Sequence, residues 1–296
     1  MQSISANILD TLKSGKGQLG REAIDHLSAF VRSQLLQDHS FMNKSGESDL
    51  YYTSFGWMLC LVLGIHLDTD KMAGYLSHQH EDDLDLIHYT AFKRCELILY
   101  MRKKGRALTW LKTQSKQRVR DLNDFKHMPH QNISSPYTQF IWISLLEDTG
   151  NKLPEKSKIE KNLEQYRHET GGFMNVSDGL TATTNATTAA LSVLGQISNG
   201  KQEKAIGFLK SMQDISGGFK AAPSAPVPDL LSTATALFVL KSYKEKPNYQ
   251  ALEFIEAHWA ESGGFIATLL DDKSDVEYCF YGLLAIGSAL LINEES

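Results

Sequence analysis

Four side chains toward the C-terminus have types and spacings that could do chemistry: Asp229, Asp275, Tyr278 and Cys279. The two aspartates stand 46 residues apart, each at the start of an apolar run, and Cys279 lies one helical turn beyond Asp275. Carboxylates and a thiolate converging from neighbouring helices are donors for a divalent metal, so Asp229, Asp275 and Cys279 form one candidate metal site. The same aspartates also have a structural use. Ser274-Asp275-Val276-Glu277 has capping-box spacing and Asp229 follows Pro228 at a helix start, so both carboxylates can cap helices and complement their dipoles. Capping and catalysis are compatible, and no catalytic role follows from these residues alone.

The elements that must position them are set by a repeat. Gly-Gly-Phe occurs at 171–173, 217–219 and 263–265, 46 residues apart both times. Ten residues past each Phe come Thr183, Asp229 and Asp275, and eighteen past come Leu191, Leu237 and Leu283. Counting the same way, Phe41 leads to Tyr51 and Leu59, and Phe125 to Ser135 and Ile143. A period of this length marks a repeat architecture. The glycines stop one helix and turn the chain, since Gly adopts positive φ without steric penalty, and the Phe plugs back between the helices.

Helical periodicity is read over 20–36, 49–64, 68–80, 84–103, 105–122 and from 136, then over 155–168 and 180–197, 200–213 and 229–243, 247–259 and 275–292. The first helix of each pair carries charge, as in KSKIEKNLEQYRHE, while the second is nearly uncharged, as in LLSTATALFVL. A helix apolar all round is buried and one with a polar stripe faces water. The expected fold is therefore all-α: one alpha-alpha toroid domain over 1–296, with six helical hairpins and about twelve helices in inner and outer rings. The repeats are clear over 155–292 and weaker over 20–148.

A central cavity would be lined where the inner helices begin. Three begin with aromatics: Tyr51, Tyr52, Phe55 and Trp57; Tyr137, Phe140 and Trp142; Tyr278, Phe280 and Tyr281. Two begin with small polar residues, among them Thr183, Asn185 and Thr233. One bulky wall facing a small polar one leaves room for an elongated apolar ligand with a polar end. Equally, the aromatics could fill a core and the small residues serve tight helix packing.

Composition excludes other classes. A net charge of −5 does not suit a nucleic-acid binder, although the run from Lys93 to Arg120 holds ten of the thirty Lys and Arg and could hold a diphosphate, an anionic partner or only water. The opening stretch has no signal-peptide core and no window has 18 uninterrupted apolar residues, so a soluble, cytoplasmic protein is expected. Cys60, Cys95 and Cys279 are odd in number and widely spaced, as in a reducing compartment. His127, His130 and His168 read as solvated.

The stretch from Phe208 to Phe219 (FLKSMQDISGGF) resembles the repeat of the prenyltransferase and squalene/terpene cyclase superfamily. The stretch from Asp275 to Gly287 (DVEYCFYGLLAIG) is similar to the last repeat of protein prenyltransferase beta subunits. The resemblance implies a six-hairpin toroid with an apolar funnel, an isoprenoid or polyene-lipid ligand, a diverged transferase activity, and a helical alpha subunit as partner. It also implies where zinc would sit, through an Asp-x-Cys pair and a His. Asp229 matches the Asp, but Leu231 and Tyr278 stand at the other two positions, so no cofactor is expected and zinc is left only with the rearranged set named above. The cyclase acid motif Asp-x-Asp-Asp is not met by Asp82-Asp83-Leu84-Asp85, nor is the metal-binding Asp-Asp-x-x-Asp pattern, because position 86 is Leu. The diphosphate clamp is not visible at Thr181, Thr183, Thr184 and Asn185. A non-catalytic binding or scaffold protein is the alternative. A carbohydrate-active alpha-alpha barrel is a weaker one, which would need two opposed carboxylates in the lumen.

Overall fold

The computed structural model describes residues 2–104, 119–125, 133–198 and 200–294. Its helices are α1 (Ile4–Gln18), α2 (Arg21–Ser33), α3 (Leu50–Leu63), α4 (Thr69–Ser77), α5 (Leu86–Lys103), α6 (Pro136–Asp148), α7 (Lys156–Glu164), α8 (Thr184–Ile197), α9 (Glu203–Ser211), α10 (Leu230–Ser242), α11 (Leu252–Ala257) and α12 (Val276–Glu294). The single sheet among the described residues is the pair β1 (Phe41–Met42) and β2 (Ser48–Asp49). Most of the helix expected over 105–122, with much of the basic run, and both His127 and His130 lie outside the described residues.

Helices α3, α5, α6, α8, α10 and α12 pack in that order, and α12 returns to α3, so the inner ring closes. Closure is visible at the turns as well. The first glycine of each triplet has positive φ, +90° at Gly171, +92° at Gly217 and +85° at Gly263. The second glycine serves close approach: a Cβ on Gly172, Gly218 or Gly264 would collide with the ring of Phe208, Phe254 or Phe30, each on the next outer helix. The last repeat therefore seats on the first, through Phe30 of α2.

Each repeat Phe is fully enclosed: Phe41, Phe125, Phe173 and Phe219 are 0% exposed and Phe265 1%. Its backbone is extended and pairs with the residue that caps the following inner helix, in Phe173↔Thr183, Phe219↔Asp229 and Phe265↔Asp275. In the first unit the equivalent pair is Phe41↔Asp49, and Asp49 caps α3 by accepting the Tyr52 N–H. The count of ten from Phe41 to Tyr51 is thus corrected by two residues, because the loop of the first unit is shorter. Beneath four of these five rings the inner helix carries a small residue, the exception being Trp142 under Phe125. A Cβ on Gly56 or Gly282 would strike Phe41 or Phe265, and Ala190 and Ala236 hold the matching positions in α8 and α10.

Helix α1 was not expected from the sequence. Gly15 and Gly17 weaken its propensity and only Ile4, Ile8, Leu9 and Leu12 mark its apolar face. Ser3 caps it, with its side chain accepting from the Ala6 N–H. The helix lies across the C-terminal ends of the inner ring. Ser5 Oγ donates to Asp148 Oδ2 at 2.6 Å, the Ile4 N–H to Glu147 Oε2 at 3.0 Å, Lys16 Nζ to the Val62 carbonyl at 3.0 Å, and Lys241 Nζ to Thr11 Oγ1 at 2.8 Å. A lysine on the last carbonyls of α3 also suits that helix's dipole. Among the described residues no helix is long and apolar enough to cross a membrane.

Candidate functional site

All six inner helices start with a small polar cap at one rim of the ring: Asp49, Asp85, Ser135, Thr183, Asp229 and Asp275, each accepting a backbone N–H of the first turn. Inside the ring is a cavity of about 560 Å³. Counted from the caps, the lining is in register. Positions two, five, six and nine give Tyr51, Ser54, Phe55 and Met58 on α3, Ile87, Thr90, Ala91 and Arg94 on α5, and Asn185, Thr188, Ala189 and Ser192 on α8. The other three inner helices supply Tyr137, Phe140 and Ile141; Leu231, Thr235 and Phe238; and Phe280, Tyr281 and Leu284. At 1.5 Å per residue the ninth position lies about 10 Å below the second. Ser5 and Ile8 of α1 complete the lining from the far end.

Of the residues expected to line a cavity, Tyr51, Phe55, Tyr137, Phe140, Asn185 and Tyr281 do so. Tyr52, Trp57, Trp142, Thr183 and Thr233 do not. Trp57 points to the outer side of α3, where its indole N–H donates to the His39 carbonyl at 2.7 Å and its ring meets Tyr75 edge-on. Trp142 packs against Phe125 with centroids 6.3 Å apart. Tyr52 sits at the rim beside Tyr51, their ring centroids 5.8 Å apart, and Thr183 is a cap. Thr233 takes the Phe219 N–H on its hydroxyl at 2.9 Å, as Thr187 does for Phe173 and Thr53 for Phe41. One arc of the cavity is aromatic, with Phe55 meeting Tyr51 and Phe280 edge-on at 4.9 Å each. On the opposite arc α8 supplies the small residues Asn185, Thr188, Ala189 and Ser192, while α10 supplies Leu231, Thr235, Phe238 and Val239.

Cys279 occupies the threonine position of the last repeat. Its thiol is fully buried, burial pushes its pKa up, and it takes the Phe265 N–H, so the metal set Asp229, Asp275 and Cys279 is corrected: the cysteine is committed to the repeat turn. Among the described residues no three His, Cys, Asp or Glu side chains are placed to hold a metal ion. The positions implied for a zinc hold a capping carboxylate (Asp229), a hydrocarbon that lines the cavity (Leu231) and a phenol whose pKa burial raises (Tyr278). These residues do not fit that zinc, since Leu231 offers no donor atom. Nor does any lining residue among the described ones carry a carboxyl group, so they do not supply the opposed pair a glycosidase would use.

The carboxyls cluster at the rim instead. Asp275 is 3% exposed; its Oδ1 accepts the Tyr278 N–H at 2.8 Å and its Oδ2 faces Lys44 Nζ at 3.6 Å. Glu277 accepts the Tyr51 hydroxyl at 2.8 Å. Burial raises the pKa of Asp229, Asp275 and Glu277 above the ordinary carboxylate range. A raised carboxyl pKa contributes stability that is fully present below the unfolded-state value and is lost as pH rises through the folded one. Glu277→Gln keeps an acceptor for Tyr51 and removes the buried charge. It should be more stable than the parent at pH 7, with the gap closing as pH falls toward the ordinary glutamate range. Thermal melts across that range read this directly, and a gap that widens on acidification contradicts it.

Among the described residues the basic run does not form one patch. Lys93 is buried between Glu81 and Glu96 at 3.0 Å each, Arg102 donates to the Ile65 carbonyl at 3.1 Å, and Arg120 lies over the Phe125 ring at 4.3 Å. Glu81, Asp82 and Asp83 form an outward 3₁₀ turn, and Asp85 caps α5. His168 is half-buried and bonds Thr170 across 2.9 Å. Arg94 and Glu277 were missed as site residues. Arg94 was countable, since it stands nine residues past the cap Asp85 as Met58 stands nine past Asp49.

No curated protein shows a significant sequence match to this chain. The family model for the prenyltransferase alpha-alpha toroid domain matches residues 186–294. In structure the chain is similar to Candida albicans protein geranylgeranyltransferase-I complexed with GGPP, with a TM-score of 0.59 and 15% identity over 92% of each chain. It is similar also to the type II terpene cyclase MstE from Scytonema (TM-score 0.52, 12% identity, 93% of this chain and 98% of that one). A variant of that cyclase in complex with geranylgeranyl dihydroxybenzoate gives a TM-score of 0.55 and 12% identity over 98% of this chain and 99% of that one. With the closed inner ring and the repeat turns, these findings show that the chain has an alpha-alpha toroid fold, whose residues 186–294 match the prenyltransferase toroid domain model.

Proposed function

We propose that this protein binds an isoprenoid or polyene-lipid chain inside the ring. The observation that carries the reading is the cavity of about 560 Å³, a volume that suits a drug-sized ligand, apolar and aromatic over one arc and backed by α1. Its wall hydroxyls are largely spent on their own helices: Ser54, Thr90, Thr188, Ser192 and Thr235 each donate to a carbonyl three or four residues back. They therefore offer little to a sugar or a nucleotide and do not obstruct a hydrocarbon. Edge-on aromatic pairs present both ring faces and ring edges, which suit the alkenes of such a chain. Two structural relatives, named in complexes with GGPP and with geranylgeranyl dihydroxybenzoate, carry prenyl chains in the same fold.

A ligand at a hundred times its Kd should raise unfolding free energy by about 2.7 kcal/mol. Thermal melts with farnesyl and geranylgeranyl diphosphate, geranylgeraniol and squalene test this. No shift with any of them at high concentration rejects the reading.

The reading extends to a protein partner, supported by exposed aliphatics on loops that lead into the inner helices: Leu180 is 93% exposed and Leu270 83%. If that face is covered in the cell, the endogenous protein elutes above its 33.1 kDa monomer size, and a Leu180→Asp, Leu270→Asp variant does not. Monomeric elution of the endogenous protein removes this extension.

A further inference from the structure

One side chain in the cavity is unlike all the others. Among the described residues lining it, Arg94 alone carries a formal charge. It lies at the ninth position of α5, among the deep tier, and helical side chains lean toward the helix N-terminus, so its guanidinium is carried up toward the middle of the lumen. Its electrostatic reach includes the phenols of Tyr137 and Tyr281, which line the same cavity. Among the described residues Arg94 has no ion pair or hydrogen bond, and the hydroxyl of Tyr281 has no hydrogen-bond partner either. The neighbouring basic residues are otherwise committed: Lys93 to two glutamates and Arg102 to a carbonyl.

Arg94 is half-buried, and its five N–H donors, with no described protein partner, are left to water or to a ligand of opposite charge. The described wall does not supply that charge, since none of its residues is a carboxylic acid and most of its hydroxyls donate into their own helices. A ligand can.

We propose that Arg94, with the Tyr281 hydroxyl in the same lumen, anchors the single negative charge of an acidic amphiphile, a long-chain carboxylate whose hydrocarbon fills the rest of the ring. This rests on the reading of the cavity as a lipid-chain site and names the head group that site takes. A carboxylate matches a guanidinium in charge and in fork geometry. A diphosphate does not: one cation leaves most of its charge unpaired, and the rim adds the carboxyls of Asp275 and Glu277. The neutral phenol of Tyr281 can donate a hydrogen bond to the same carboxylate without adding charge.

The test compares three probes with one chain and different heads on the full protein: geranylgeranoic acid, geranylgeraniol and geranylgeranyl diphosphate, by isothermal titration. The acid is expected to bind at least about tenfold more tightly than the alcohol and more tightly than the diphosphate. Arg94→Leu should bring the acid down to the level of the alcohol on the same variant, and circular dichroism with a thermal melt shows that the variant is folded. Arg94→Lys should restore part of the preference. Equal binding of acid and alcohol, or an acid preference that survives Arg94→Leu, overturns the proposal while the lipid-chain reading stands. Tightest binding of the diphosphate overturns it in favour of a polyanion site. Palmitate against 1-hexadecanol repeats the comparison on a saturated chain; if neither acid binds, the inference falls, and if no chain binds in either series, the lipid-chain reading falls with it.

Discussion

Phe219→Ala should destabilise the protein by about 3–5 kcal/mol, the range for emptying a fully buried aromatic site. Phe219 is 0% exposed and stands where the chain passes from α9 to α10. Its backbone pairs with Gln213 on one side and Asp229 on the other, and its N–H is taken by Thr233, so the ring and the turn are held together. The site cannot collapse easily, because Gly217 at φ +92° and Gly218 against Phe254 fix the backbone around it. Urea unfolding of parent and variant gives the number, and a loss below about 1.5 kcal/mol would show that the turn repacks. Thr233→Val separates the two contributions: it keeps the ring but orphans a buried N–H, at a cost of about 1–3 kcal/mol.

The second large effect concerns the floor. Gly15→Val should lift α1 off the ring. A Cβ on Gly15 would meet the Leu283 carbonyl and one on Gly287 would meet the Thr11 carbonyl, so α1 and α12 cross backbone to backbone. Backbone cannot move aside as a side chain can. Undocking exposes Ile4, Leu9 and Leu12, all at most 2% exposed, and each such side chain is worth about 1.5–3 kcal/mol on burial. Limited proteolysis should cut within α1 in the variant, with a thermal midpoint far below the parent's. If the variant instead resists cleavage and melts with the parent, the crossing is looser than its geometry requires. Because Ser5 and Ile8 line the cavity, lipid-chain affinity should fall in parallel.

Much of the architecture was legible because a few residues have little freedom. A glycine that must adopt positive φ, a Phe that must be enclosed and a capping oxygen ten residues later leave the same trace in each repeat, and the charge difference between paired helices separates the two rings. The trace fades where the geometry is solved differently. In the first unit the cap is Asp49, two residues early, and in the second no Gly-Gly-Phe occurs at all, with Tyr89 four residues past the cap Asp85 and packed on Phe125 of the next unit. Helix α1 left almost no trace, since its stability comes from the surface it covers and not from its propensity.

The candidate site was legible as a place and less so as a set of residues. Tyr51, Phe55, Tyr137, Phe140, Asn185 and Tyr281 are near enough to the caps that facing the lumen was a fair expectation. Trp57 and Trp142 look equivalent in sequence, but a rotation of two residues along a helix is about 200° and carries them to the outer side. The sequence by itself determined the repeat, the rings, the rim of caps and the replacement of Cys and His by Leu231 and Tyr278. Only the tertiary structure decided that Cys279 serves the turn above it, that α1 lies across the far end of the ring, and that Arg94 is the one charged side chain among the described residues of the lumen. The physical reason is that which face of an inner helix meets the cavity depends on how six helices close against one another, a property no single segment of the chain contains.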